Sequence, residues 1–173
     1  MTLNQALSAE LKMEAANTRK LMERVPCDKN DWKPHEKSMK LGNLANHICD
    51  LPGWITMVIN TNELDLATMN YKPVIPATTE ELLAHHDKTL QTALETLAST
   101  TDDVMSQPWT LRRGDHIMFS MPKAVVIRSM SLSHMYHHRG QLSVYLRLLD
   151  VPVPGMYGPS SDDVAAMKAA ATA

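Results

Sequence analysis

The chain has 173 residues, enough for one domain with a substantial core, and its 44% hydrophobic and 21% charged residues are those of an ordinary globular protein. A formal net charge of -2 and a pI near 6.4 give no electrostatic footprint for nucleic acid or an anionic membrane. Two cysteines, Cys27 and Cys49, cannot make a disulfide framework and suit a reducing cytosol. No apolar run approaches the roughly 20 residues that span a bilayer, and the opening MTLNQALSAELKMEAANTRK lacks the apolar stretch of a secretory signal.

The pattern predicts four helices separated by three loops, within a single domain covering residues 1–173. The first helix runs roughly from Leu3 to Arg24, with Leu7, Leu11, Thr18, Leu21 and Met22 near one face, and Pro26 ends it. The second runs from about Leu41 to Asn60; Leu44, His47, Ile48, Leu51, Ile55 and Val58 recur at helical spacing, and Pro52-Gly53 predicts a kink or local break. A loop punctuated by Pro73 and Pro76 follows. Thr78 and Glu81 form a capping-box pattern that opens the third helix, which continues to about Ala98. Ser99 to about Phe119 reads as loop. The fourth helix starts near Ser120-Met121-Pro122 and runs to about Leu149, and Ser161 to Ala170 reads as a short final helix. Strand signals are too weak to place a sheet. The expected fold is therefore all-α, a four-helix bundle whose long loops serve as crossovers or cover a site at one end.

The segment SLSHMYHHRGQL carries His134, His137 and His138, three of the eight histidines. At about 100° per residue, His138 falls about 40° from His134, and Gln141 and Tyr145 fall about 20° from it. His134 and His138 thus lie in the apolar stripe, with Cβ atoms about 5–6 Å apart. His137 sits on its edge, and Arg139 faces away. His47 occupies a core-facing position on the second helix. Facing helices of a bundle often build metal sites, and three imidazoles would leave coordination open for water or substrate. Zn²⁺ or Ni²⁺ suits such ligands. Core histidines hydrogen-bonded to polar neighbours are the competing reading.

Other positions offer weaker candidates. His86 lies near the third helix's stripe, as a fourth ligand or a packed histidine. His85 reads as solvated, and His35 and His116 as loop histidines. Gln141 could orient a ligand. Tyr145 could donate a proton or fill the core. Gly140 implies a close helix approach. Cys49 points away from His47, whereas Asp50 is either a partner behind the site or part of a surface ion pair.

The segments NDWKPHEKSMKLGNLANHICDLPGW and SLSHMYHHRGQLSVYLRLLDVPVPGMYGPS resemble the DinB-like (DinB/YfiT) metal-binding four-helix bundles, over about Leu3 to Asp163. That resemblance implies metal ligands at His47, His134 and His138. It also implies a divalent metal, Zn or Ni first and Fe as a further option, and a low-molecular-weight thiol as cofactor, since similar proteins include thiol-dependent transferases and isomerases. The expected function is a metal-dependent enzyme acting on a small molecule, of thiol S-transferase type, and its catalytic residues are not identified by the resemblance. The alternatives are a hydrolase that activates water at the ion, and a non-catalytic module in which the ion ties two helices together. A cytoplasmic homodimer is the expected assembly, with neither nucleic acid nor membrane as partner. Asp150 stands where relatives often carry Gly.

Overall fold

A computed structural model describes residues 1–172. Helix α1 spans Leu3–Met22, α2 Leu41–Asp50, α3 Gly53–Asn60, α4 Thr79–Ser99 and α5 Asp102–Ser106. A last long helical run joins α6, Lys123–Ile127, through a π-helical turn over Arg128–Ser133 to α7, His134–Leu148; α8, Ser161–Ala171, follows. Four helical columns form the expected bundle: α1, the pair α2 and α3, α4, and the α6–π–α7 run. α1 packs on α4 and α7, and α2 packs on α4 and α7 from the other side. Leu7, Leu11, Leu21, Leu44, Ile48, Ile55, Leu82, Leu97, Leu142 and Leu146 fill the space between them. No helix among the described residues is long and apolar enough to cross a membrane.

The second helix breaks where expected. Pro52 has no amide hydrogen, so α2 ends at Asp50 and α3 begins at Gly53. Carbonyls near the break take hydroxyl donors from neighbouring helices. Thr89 Oγ1 on α4 donates to Cys49 O at 2.6 Å, and Ser131 Oγ in the π turn donates to Leu51 O at 2.9 Å. Buried Lys123 donates to Ile59 O at 2.9 Å, near the end of α3.

The region from Ser99 to Phe119, expected to be loop, instead holds α5 and most of a small sheet. Strands β1, Glu63–Asp65, β2, Pro108–Arg113, and β3, His116–Pro122, pair in that order. β1 runs parallel to β2, and β2 antiparallel to β3 with a bulge at Leu111/Arg112. Gly114, at φ +57, turns the β2–β3 hairpin, a position favourable to a residue without Cβ. Trp109 and Leu111 point inward from β2, and Trp109 Nε1 donates to Thr61 Oγ1 at 3.0 Å. Two inward residues and a three-residue first strand make too short an alternation to stand out in the sequence.

One expectation for α7 holds and one changes. Arg139 turns away from the histidines, as expected, and is buried. Its Nη2 lies 2.6 Å from Glu14 Oε2 on α1, both side chains are about 5% exposed or less, and Thr18 and Tyr157 complete its hydrogen bonds. Gly140 makes no close approach: a Cβ there would meet nothing within 4 Å. At the end of α7, Asp150 adopts φ 58, with Asp150 N–H on Arg147 O and Val151 N–H on Leu146 O. This is the left-handed helix stop usually made by glycine.

Neighbouring substitutions on α7 should therefore have opposite signs. Arg139→Ala leaves the Glu14 carboxylate buried and unpaired and is expected to cost about 3–5 kcal/mol. Gly140→Ala adds helix propensity in open space and should stabilise by about 0.5–1 kcal/mol. Urea unfolding of the two variants beside the parent protein measures both.

Candidate metal centre

His47 reaches the centre from the last turn of α2, and His134 and His138 from the first two turns of α7. His47 Nε2 lies 3.4 Å from His134 Nε2, and His134 Nε2 lies 2.8 Å from His138 Nε2. One nitrogen from each ring falls within 4.8 Å of the others, and the ring centroids are 4.6–5.0 Å apart. Three rings from two helices thus converge on one point, as the helical wheel expected.

The donors suit a divalent ion. Two nitrogens, each about 2.0–2.1 Å from one ion, lie about 2.9 Å apart at a right angle and about 3.3 Å apart at the tetrahedral angle. The two shortest observed separations are close to these values. Without a shared proton or cation, facing lone pairs at such distances repel. Gln141 Oε1 sits 2.7 Å from His138 Nδ1. An amide oxygen can only accept, so with this amide orientation Nδ1 carries the hydrogen and Nε2 offers its lone pair to the centre. His134 Nδ1 is buried without a well-aligned hydrogen bond, although the Met130 carbonyl lies close enough to favour a proton on that ring.

The rings are also held neutral. Burial pushes His47 down to about 4, helped by His138 and His134, while the nearby Asp50 carboxylate offsets part of the fall. Burial lowers His134 and His138 as well. Neutral imidazole is the form that binds metal, so these ligands need not first lose protons at neutral pH. The exposed His137 and Gln141 mark the side on which the centre opens to solvent.

The remaining candidates lie elsewhere. His137 stacks edge-on against His138, with ring centroids 4.9 Å apart, and is not in the converging set. His86 is fully buried; its Nδ1 pairs with Asp87 at 3.1 Å and its Nε2 has no partner. Tyr145 OH donates to Met39 O at 3.2 Å, and its ring packs edge-on against Trp32. Buried Cys49 faces Leu82 O, and burial pushes its thiol up. His35 and His116 are exposed. His85, read as solvated, is instead partly buried, with Nε2 2.7 Å from Asp50 Oδ1. The sequence carries one trace of this pair: Asp50 and His85 each sit near a core stripe of a separate helix.

The fold and the cluster define a helical bundle with a candidate three-imidazole centre between two of its columns. The DinB family model matches residues 1–170, and the chain belongs to the DinB family. It is 26% identical to YrdA of Bacillus subtilis strain 168, described as an uncharacterized protein, over 88% of this chain and 86% of that one. Its fold is similar to that of a DinB-like protein, YjoA, of Bacillus subtilis, with a TM-score of 0.69, 17% identity, and 87% of this chain and 97% of that one covered. A DinB-like protein of Bacillus cereus ATCC 10987 gives a TM-score of 0.64 at 21% identity, covering 84% and 92% of the two chains.

The lowered histidines make stability depend on pH. The unfolded chain protonates near pH 6.5, whereas His47 in the folded chain does so only near pH 4. The unfolded state therefore binds more protons between these values. Stability from His47 is complete above about pH 6.5 and lost as pH falls toward 4, with His86, His134 and His138 acting in the same direction. The Tm of metal-free protein should fall across this window, and His47→Gln should make the fall shallower. A Tm that is flat across the window would contradict neutral burial of these rings.

Proposed function

We propose that this chain binds one divalent metal ion through His47, His134 and His138, Zn²⁺ or Ni²⁺ before Fe²⁺, and acts as a metal-dependent enzyme of thiol S-transferase type on a small molecule. One observation carries the reading: imidazole nitrogens from α2 and α7 meet within 4.8 Å of one another with no carboxylate among them. Membership of the DinB family supports it.

The chain's own residues would do three things at such a centre. The three imidazoles supply neutral donors, each with one ring nitrogen free of a proton. Gln141 holds the His138 ring in the tautomer that aims Nε2 inward. The side marked by His137 and Gln141 admits a small molecule. When bound, the ion would lower the pKa of a low-molecular-weight thiol and hold its sulfur as thiolate beside an electrophile. A purely structural ion is the second reading. It is favoured by the placement of the cluster across α2 and α7, where an ion would tie the two columns together.

Elemental analysis of tag-free protein, purified without added metal or chelator, should find about one Zn, Ni or Fe per chain. His138→Ala should lose it, and Gln141→Ala should weaken the retained metal by about 10–100-fold in a chelator competition. Metal-free parent protein that also takes up no added Zn²⁺ or Ni²⁺ would end the metal reading. Turnover of a thiol-plus-electrophile mixture by loaded protein alone separates the enzyme from the structural module.

A further inference from the structure

None of the three clustered histidines lines a separate cavity of about 440 Å³ between α2, the start of α4 and the strap that leads into α4. On its wall is the Asp50 carboxylate, held by donors from three segments. His85 Nε2 on α4 lies 2.7 Å from Oδ1, Asn46 Nδ2 on α2 donates to Oδ2 at 2.9 Å, and the Tyr71 hydroxyl on the strap donates to Oδ2 as well. A carboxylate only accepts here, so His85 carries its hydrogen on Nε2. In the neutral ring the lone pair is then on Nδ1, which has no hydrogen-bond partner among the described residues and is not among the buried unpartnered atoms. Pairing with Asp50 thus fixes the ring and leaves one acceptor free on a residue that lines the cavity.

The surroundings select what that acceptor meets. Asp50 and Glu81 place two carboxylates on the lining against one ammonium, that of Lys72. Two carboxylates against one ammonium make a local field that favours a cation wherever the imidazole is neutral. Pro73, Val74 and Pro76 give an apolar wall, and Tyr71 adds an aromatic ring. An N–H donor carrying positive charge on a short apolar body matches all of these features at once.

We propose that this cavity is a ligand site for a small organic ammonium ion, whose N–H donates to His85 Nδ1 while its apolar body lies along the strap. The site does not depend on metal at the three-histidine centre. It differs from a network that only pins the strap to α2, because the open volume beside the strap and the unengaged ring nitrogen would be idle in that role.

Benzylamine is the probe, with benzyl alcohol and benzoate as neutral and anionic comparators of similar shape. ¹H–¹⁵N spectra of the full chain are titrated at neutral pH, once metal-free and once with one equivalent of Zn²⁺. Benzylammonium should bind saturably at roughly millimolar concentration, as suits so small a ligand. It should move the amides of Asp50, Val74 and His85 and the His85 Nδ1 resonance, and do so equally with and without Zn²⁺. His85→Gln and Asp50→Asn should each weaken it about tenfold while retaining the helical circular dichroism. Equal binding of the comparators, shifts centred on His47, His134 and His138, or no saturable shift in the folded parent protein would overturn the proposal. A chain that binds no Zn²⁺ would still give a full result, so the two readings fail separately.

Discussion

Pro52 removes one amide hydrogen from the second helical column, and the arrangement around that gap sets both sites. The carbonyls of Cys49 and Leu51 lie beside the break, and a buried carbonyl without a donor is costly. Thr89 of α4 supplies the donor for Cys49 O, and Ser131 of the π turn adds a second donor to Leu51 O beside the Trp54 N–H. The end of α2 is thereby fixed to two neighbours at the same level. His134 lies three residues beyond Ser131, and His85 four residues before Thr89, one helical turn in each case. The anchors that satisfy the break thus set His134 opposite His47 and His85 opposite Asp50.

Rotation of α7 is fixed from its other side. Arg139 follows His138 and points toward α1, where it meets Glu14, Thr18 and the Tyr157 hydroxyl. A guanidinium this deeply buried cannot turn toward water without leaving Glu14 unpaired. Any rotation that carried His138 away from His47 would break that pair. The repulsion among three neighbouring imidazoles is therefore borne by an ion pair on the opposite face of the same helix. Tyr136 and Tyr157 flank the guanidinium, each with its ring centroid 5.5 Å away, and add to the restraint.

What the sequence made legible was local. His134 and His138 are four residues apart on a regular helix, so a wheel places them correctly, and His47 repeats with Leu44 and Leu51 on one stripe. The Pro52 break and the Thr78 cap are likewise signals within a few residues. The missed features depend on distant partners. The π turn over Arg128–Ser133 follows no sequence rule that an apolar stripe reveals. Arg139 read correctly as facing away from the histidines, but its burial went unseen because Glu14 stands 125 residues earlier. His85 read as solvated because its partner is on another helix. The sheet escaped notice because β1 pairs with β2 across a gap that includes all of α4.

The charge balance of the candidate centre follows from the same arrangement. Three neutral imidazoles would leave the full double charge of a divalent ion uncompensated, since the converging set holds no carboxylate. Asp50 is the acidic side chain one turn from His47, and it is engaged by His85, Asn46 and Tyr71. Tied in this way, it tempers the pKa of His47 through space without entering the donor set. An ion held by these three rings would draw an external anion to the side left open at His137 and Gln141. The bonds that withhold Asp50 from the histidines thus leave any such ion to find its balancing charge outside the bundle.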